Sequence, residues 1–139
     1  MWTPWNCLTL AMLVLTAVSH LAHAQEGIVT QRVQFARGAS SATITGTIKG
    51  YETRDYLLAA QAGQTMRVQM ATKNTFLSFN VLPPHSDEAL FVGQNQAEPN
   101  QWSGTLPTDG DYRIRVYLVR AEARRGGKAN FVCTVSITK

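Results

Sequence analysis

The chain has 139 residues, with 13 Lys and Arg against 9 Asp and Glu and only three histidines and two cysteines. That length suits one globular domain and is short for two. The small basic excess favours an acidic partner without naming one, and so few His and Cys exclude a Cys- or His-rich metal scaffold.

From Cys7 to Val18 the chain is one apolar run, CLTLAMLVLTAV, the length of a signal-peptide core and short of the roughly 20 residues a membrane span needs. Ala22-His23-Ala24 follows, with small residues where a signal peptidase requires them, although Met1–Asn6 carries no Lys or Arg. Residues 1–24 are therefore read as a signal peptide cleaved before Gln25, and residues 25–139 as a single exported domain with no membrane span. Cys7 leaves with the signal. Cys133 remains alone, so no intramolecular disulfide is expected, and its alternation with Phe131, Val135 and Ile137 makes it a buried structural thiol.

Beyond Gly27 the apolar residues recur with the period of two that marks half-buried strands. The runs are 29–35, 42–49, 55–60, 65–70, 76–82, 89–92, 101–106, 112–119 and 131–138, separated by turn residues such as Ala62-Gly63-Gln64 and Asp109-Gly110. In the clearest of them Tyr112, Ile114, Val116 and Leu118 share one face and Arg113, Arg115 and Tyr117 the other. The expectation is an all-β fold, a compact antiparallel β-sandwich of about eight strands. Charge is unevenly placed: five acids and no Lys or Arg lie between Asn74 and Tyr112, whereas residues 113–128 hold six basic residues and only Glu122.

One segment breaks the strand pattern. Arg120-Ala121-Glu122-Ala123-Arg124-Arg125 favours a helical turn closed by Gly126-Gly127. Such a turn sets Arg120 and Arg124 on one face, where like charges repel. A solvated loop keeping a hairpin tip soluble accounts for it, and so does a site awaiting an anion.

The chemistry of catalysis is hard to assemble here. His85, behind Pro83-Pro84, is the one histidine after residue 24, so no nucleophile–base pair with an orienting group is available. No Cys-x-x-Cys or His-Glu-x-x-His spacing offers a metal site, and no glycine-rich turn opens a helix as a phosphate cradle would. Asp87-Glu88 and Asp109/Asp111 are the available acid pairs, and both read as turn residues. No catalytic residue, metal or cofactor is assigned. The Arg113, Arg115, Tyr117 face could suit single-stranded nucleic acid, but export makes that an improbable target and no nucleic-acid partner is expected.

Several pieces stand out along the chain: Val33-Gln34-Phe35-Ala36-Arg37-Gly38, Gly46–Tyr51 (GTIKGY), Asp55-Tyr56, Ala62-Gly63-Gln64, Leu106-Pro107 with Gly110-Asp111-Tyr112, and Arg120-x-x-x-Arg124. On these residues the chain from about Val33 to Lys139 resembles the periplasmic inhibitors of goose-type (g-type) lysozyme. The resemblance implies a non-enzymatic, periplasmic β-sandwich that plugs the cleft of that lysozyme and protects bacterial peptidoglycan. It also implies partner-binding roles for Tyr51, Arg120 and Arg124. The stretch from Lys73 to Asn100 is the least similar, and Glu122 stands where it could partly neutralise the two arginines. A periplasmic glycan- or peptidoglycan-binding module, with Trp102 or Tyr117 as the exposed aromatic, is the alternative. A module that assembles through a long uncharged sheet edge is a third reading.

Overall fold

A computed structural model describes residues 27–139; the expected signal peptide and cleavage before Gln25 lie outside them. Nine strands form two sheets: β1 (Ile28–Arg32), β2 (Ser41–Lys49), β3 (Thr53–Ala60), β4 (Thr65–Thr72), β5 (Leu77–Leu82), β6 (Phe91–Val92), β7 (Gln101–Thr105), β8 (Gly110–Leu118) and β9 (Lys128–Thr138). The one α-helix among the described residues, α1 (Arg120–Arg124), lies between β8 and β9. One sheet has the order β1-β3-β8-β5-β6 and the other β2-β9-β4-β7.

The two sheets face each other across the alternating residues that the sequence pattern selects. Tyr112, Ile114, Val116 and Leu118 of β8 are buried, as are Met66, Val68 and Met70 of β4 and Phe131, Cys133, Val135 and Ile137 of β9. At about 25 cal/mol per Å² of apolar surface removed from water, this single core is the main stabilising contribution in a domain without a disulfide. The Tyr56 and Phe131 rings meet edge to face, 6.3 Å apart. Gly46 is what lets them meet under β2, since a Cβ there would stand 2.5 Å from Phe131.

The strand that opens the fold departs from the antiparallel expectation. β1 pairs with β3 in parallel, Ile28 opposite Thr53 through Arg32 opposite Leu57. The physical reason is topological: the chain leaves β1, crosses to the opposite sheet as β2 and reverses again into β3, and two reversals restore the original direction. The expected strand 29–35 also ends early. Val33 still donates its N–H to the Leu57 carbonyl at 2.8 Å, but Val33 and Phe35 then turn against the core as the chain changes sheet.

The Leu106–Tyr112 segment explains itself as a tyrosine corner. The buried Tyr112 hydroxyl donates to the Thr108 carbonyl at 2.7 Å and accepts the Thr108 N–H at 3.1 Å, so the turn before β8 is tied to the strand it feeds.

Candidate functional site

The two turns that carry the expected site residues sit at the same end of the sandwich. Lys49–Glu52 is a tight turn in which the Glu52 N–H reaches the Lys49 carbonyl (3.1 Å) and the Glu52 carboxylate accepts the Lys49 N–H (3.0 Å). Gly50 holds a φ of 58° at its second position, in the left-handed region that side chains resist. Tyr51 is thereby pushed outward and is 42% exposed.

Across from it, α1 is a single well-closed turn. Ala123 donates to the Val119 carbonyl at 3.0 Å, Gly126 to Ala123 at 3.0 Å and Gly127 to Glu122 at 3.0 Å, with Gly126 at φ 70°. The last two bonds form a Schellman stop, the reason Gly126-Gly127 ends the helix. Ala123 is the buried residue of the turn and faces inward. Arg120 and Arg124, four residues apart on one face, are both exposed.

A hydrogen bond joins the two turns: Gly50 donates to the Gly127 carbonyl at 2.8 Å. Tyr51 and Arg120 line one surface hollow together with Glu52, Thr53, Gln94, Tyr117 and Leu118. Arg124 lies outside that hollow, at the far end of the helical turn. Among the described residues neither Arg120 nor Arg124 has a carboxylate partner.

Four other basic residues, Arg32, Arg113, Arg115 and Arg125, do have one. Arg115 clamps Asp55 with two hydrogen bonds of 2.8 Å, which raises the arginine's affinity for its proton. Arg113 bonds the Ser86 carbonyl at 2.9 Å and the Asp87 carboxylate at 3.2 Å. Glu122, expected to temper Arg120 and Arg124, pairs instead with Arg125. The unevenness of charge along the chain is thus partly cancelled by folding, and Arg120 and Arg124 are left without a carboxylate partner on α1.

Two features of the site escaped the sequence reading. Phe76 was placed inside a strand, but β5 begins at Leu77 and Phe76 stands 44% exposed with the Arg125 guanidinium 5.6 Å from its ring centroid. The i,i+3 spacing of Glu122 and Arg125 could have announced their pairing; no local signal marks Phe76.

The aromatics considered for glycan binding are otherwise engaged. Trp102 packs on the core with its ring 6.3 Å from Phe91. Tyr117 donates its hydroxyl to Asn80 at 2.8 Å, and burial raises its phenol above the ordinary range. β2 is a nine-residue sheet edge with Lys49 as its single charge, and Arg54 reaches over to bond its Thr47 carbonyl at 3.1 Å. Among the described residues no cluster of three or more His, Cys, Asp or Glu could hold a metal ion, and no helix is long and apolar enough to cross a membrane.

Comparison with known proteins gives a consistent picture. No family model matches the chain. The crystal structure of a periplasmic inhibitor of g-type lysozyme from Aeromonas hydrophila shares 43% identity, covers 80% of this chain and 97% of its own, and superposes with a TM-score of 0.73. A mutant of the corresponding periplasmic inhibitor from Escherichia coli superposes with a TM-score of 0.61 at 28% identity, over 81% of this chain and 99% of that one. A curated inhibitor of g-type lysozyme from Escherichia coli strain K12 is 29% identical over 108 residues, 76% of this chain and 78% of the relative. With 43% identity across almost the whole of the Aeromonas protein, the chain belongs to the family of periplasmic inhibitors of g-type lysozyme.

Proposed function

We propose that the protein, exported and cleaved after Ala24, acts in the periplasm as a non-enzymatic inhibitor of g-type lysozyme, presenting Tyr51, Arg120 and Arg124 to the enzyme's active-site cleft and so protecting peptidoglycan. The observation that supports the reading is the bond between Gly50 and Gly127, which joins the turn of Tyr51 to the loop of Arg120 and Arg124, with Tyr51 and Arg120 lining one hollow.

A lysozyme cleft accommodates a sugar chain and carries carboxylates, including its catalytic acid. A guanidinium entering it makes charge-assisted, often bidentate hydrogen bonds that a lysine could not match in geometry. Tyr51 contributes rigid contact area at small entropic cost, because a tyrosine has few rotatable bonds to freeze. The repulsion between Arg120 and Arg124 in the free protein is relieved on binding by the enzyme's anions, so the pair favours the complex over the unbound state.

The test is titration of residues 25–139 into lysis assays with g-type and chicken-type lysozymes in parallel. Inhibition of the g-type enzyme is expected, and a failure to inhibit it would overturn the reading. Arg120→Ala with Arg124→Ala should weaken inhibition by about a hundredfold, the loss typical of central contact residues, while the unfolding midpoint stays near the parent value. An inhibition constant unchanged in that double variant would remove the arginines from the interface.

A further inference from the structure

We propose that Glu122, Arg125 and Phe76 form a latch that positions Arg120 and Arg124, so that the third arginine of the loop serves the other two. The inference rests on the inhibitory reading above and names the residues that preorganise its contact surface.

Four contacts tie the loop down. The Val119 N–H, one residue before Arg120, donates to the Phe76 carbonyl at 2.9 Å. The Phe76 side chain, projecting from the turn before β5, carries the Arg125 guanidinium over its ring. Arg125 pairs with Glu122, whose side chain is 15% exposed. The Glu122 carboxyl in turn lies against Gly127, where any Cβ would overlap it. Gly127 has no positive φ, so its glycine is explained by this close approach. The chain from Val119 to Gly127 is held at both ends and across its middle, with Arg120 and Arg124 as the side chains left free.

The physical need for such a latch follows from the length of the helix. Five residues make barely more than one turn, and an isolated turn is not stable in water because nucleation costs more than its few hydrogen bonds return. Side chains outside the turn must therefore hold it. Each guanidinium fixed before the encounter avoids an ordering cost on binding. A cation over an aromatic face combined with an ion pair suits that task, since both act on Arg125 from different directions.

The experiment is a coupling measurement in the inhibition assay, using Phe76→Ala and Glu122→Gln in two backgrounds, the parent and Arg120→Ala/Arg124→Ala. In the parent background each latch variant should raise the inhibition constant about tenfold, and Phe76→Tyr, which keeps the ring, should restore it. In the double-arginine background the same variants should change it less than twofold, because the groups they position are gone. Equal losses in both backgrounds, or no loss in the parent, would overturn the latch. Should Phe76→Ala fail to fold, Glu122→Gln carries the same comparison with a nearly isosteric change. The two readings fail separately: an inactive parent or an unaffected double-arginine variant overturns the proposed interface, whereas additive latch variants overturn only the positioning role.

Discussion

Gly50 donates its backbone N–H to the Gly127 carbonyl across 2.8 Å, joining a turn between β2 and β3 to the end of a loop some 80 residues later in the chain. Neither turn is rigid by composition. Together they brace each other, because the first is fixed by Gly50 at φ 58° and the second by Gly126 at φ 70°.

Gly50→Ala tests that brace. There is room for the methyl group, the nearest atom being the Ala123 carbonyl oxygen at 3.8 Å, so the cost is conformational. Holding alanine in the left-handed region costs about 1–2 kcal/mol, and that loss should be seen as a lower denaturant midpoint at unchanged slope. Relaxation of the turn would move Tyr51 away from Arg120, so inhibition should weaken as well. An unchanged midpoint would mean that the turn adopts another geometry at no cost.

A second prediction concerns the ion pair beneath the outer face of the β1-β3-β8-β5-β6 sheet. Asp55 and Arg115 stand directly opposite each other in the β3–β8 register, with side-chain exposures of 5% and 26%. Removing one partner of a buried pair typically costs about 3–5 kcal/mol, because the other charge is left behind. The burden is unequal here. Arg115→Met strands a carboxylate with little access to water, whereas Asp55→Asn leaves a guanidinium that can reach solvent. Chemical denaturation should therefore rank Arg115→Met as the more destabilised variant, and the reverse order would show that the carboxylate finds another donor.

The same pair shows where sequence reading stops. Period two identified the faces of β8 and β9 correctly, since each residue's side is settled by its neighbours. Arg113, Arg115 and Tyr117 were accordingly placed on the outer face, but whether they were free or paired depends on which strand lies alongside, and Asp55 is 60 positions away. The parallel pairing of β1 was hidden for a similar reason: it follows from the order in which the chain visits two sheets. At the site, the helical turn, its glycine stop and the spacing of Arg120 and Arg124 were legible from local composition. The nearness of Tyr51 was not, and came only through resemblance. Phe76 was misplaced because an aromatic residue just before an apolar run reads as the first residue of the strand.

Acid should expose the clip that fastens the first strand. Arg32 bonds Asp111 through both oxygens, at 2.9 and 2.6 Å. Those hydrogen bonds hold the Asp111 carboxyl below its ordinary range, opposed by desolvation and reinforced by the charges of Arg32 and His85. A carboxyl depressed in the folded state binds fewer protons than the unfolded chain does, so its stabilising contribution is present above the ordinary aspartate pKa of about 3.9 and is lost as pH falls through the lower folded value. Both side chains are nearly half exposed, so the contribution is small and salt-sensitive. The parent should exceed Asp111→Asn in stability near neutral pH and low salt, with the two converging as pH falls through the depressed folded value. A gap that persists in acid would assign the difference to shape.

The last prediction follows from the lone cysteine. Cys133 is fully buried at the centre of β9, and burial pushes its thiol up to about 12. A thiol reacts as its thiolate, so in the native state Cys133 lacks both access and ionisation, and the protein should remain a reduced monomeric thiol even in an oxidising compartment. Labelling by a small maleimide should occur only through unfolding. Its rate should rise with denaturant in step with the loss of β-structure signal. Rapid modification without loss of that signal would mean that β9 opens locally. The substitutions Cys133→Ala and Cys133→Ser separate packing from polarity: alanine removes one buried sulfur, while serine places a hydroxyl in an apolar setting, at a cost of about 1–3 kcal/mol when it finds no partner. Serine should therefore be the more destabilising of the two although it preserves more of the volume, and equal midpoints would show that the hydroxyl finds a backbone acceptor in the strand.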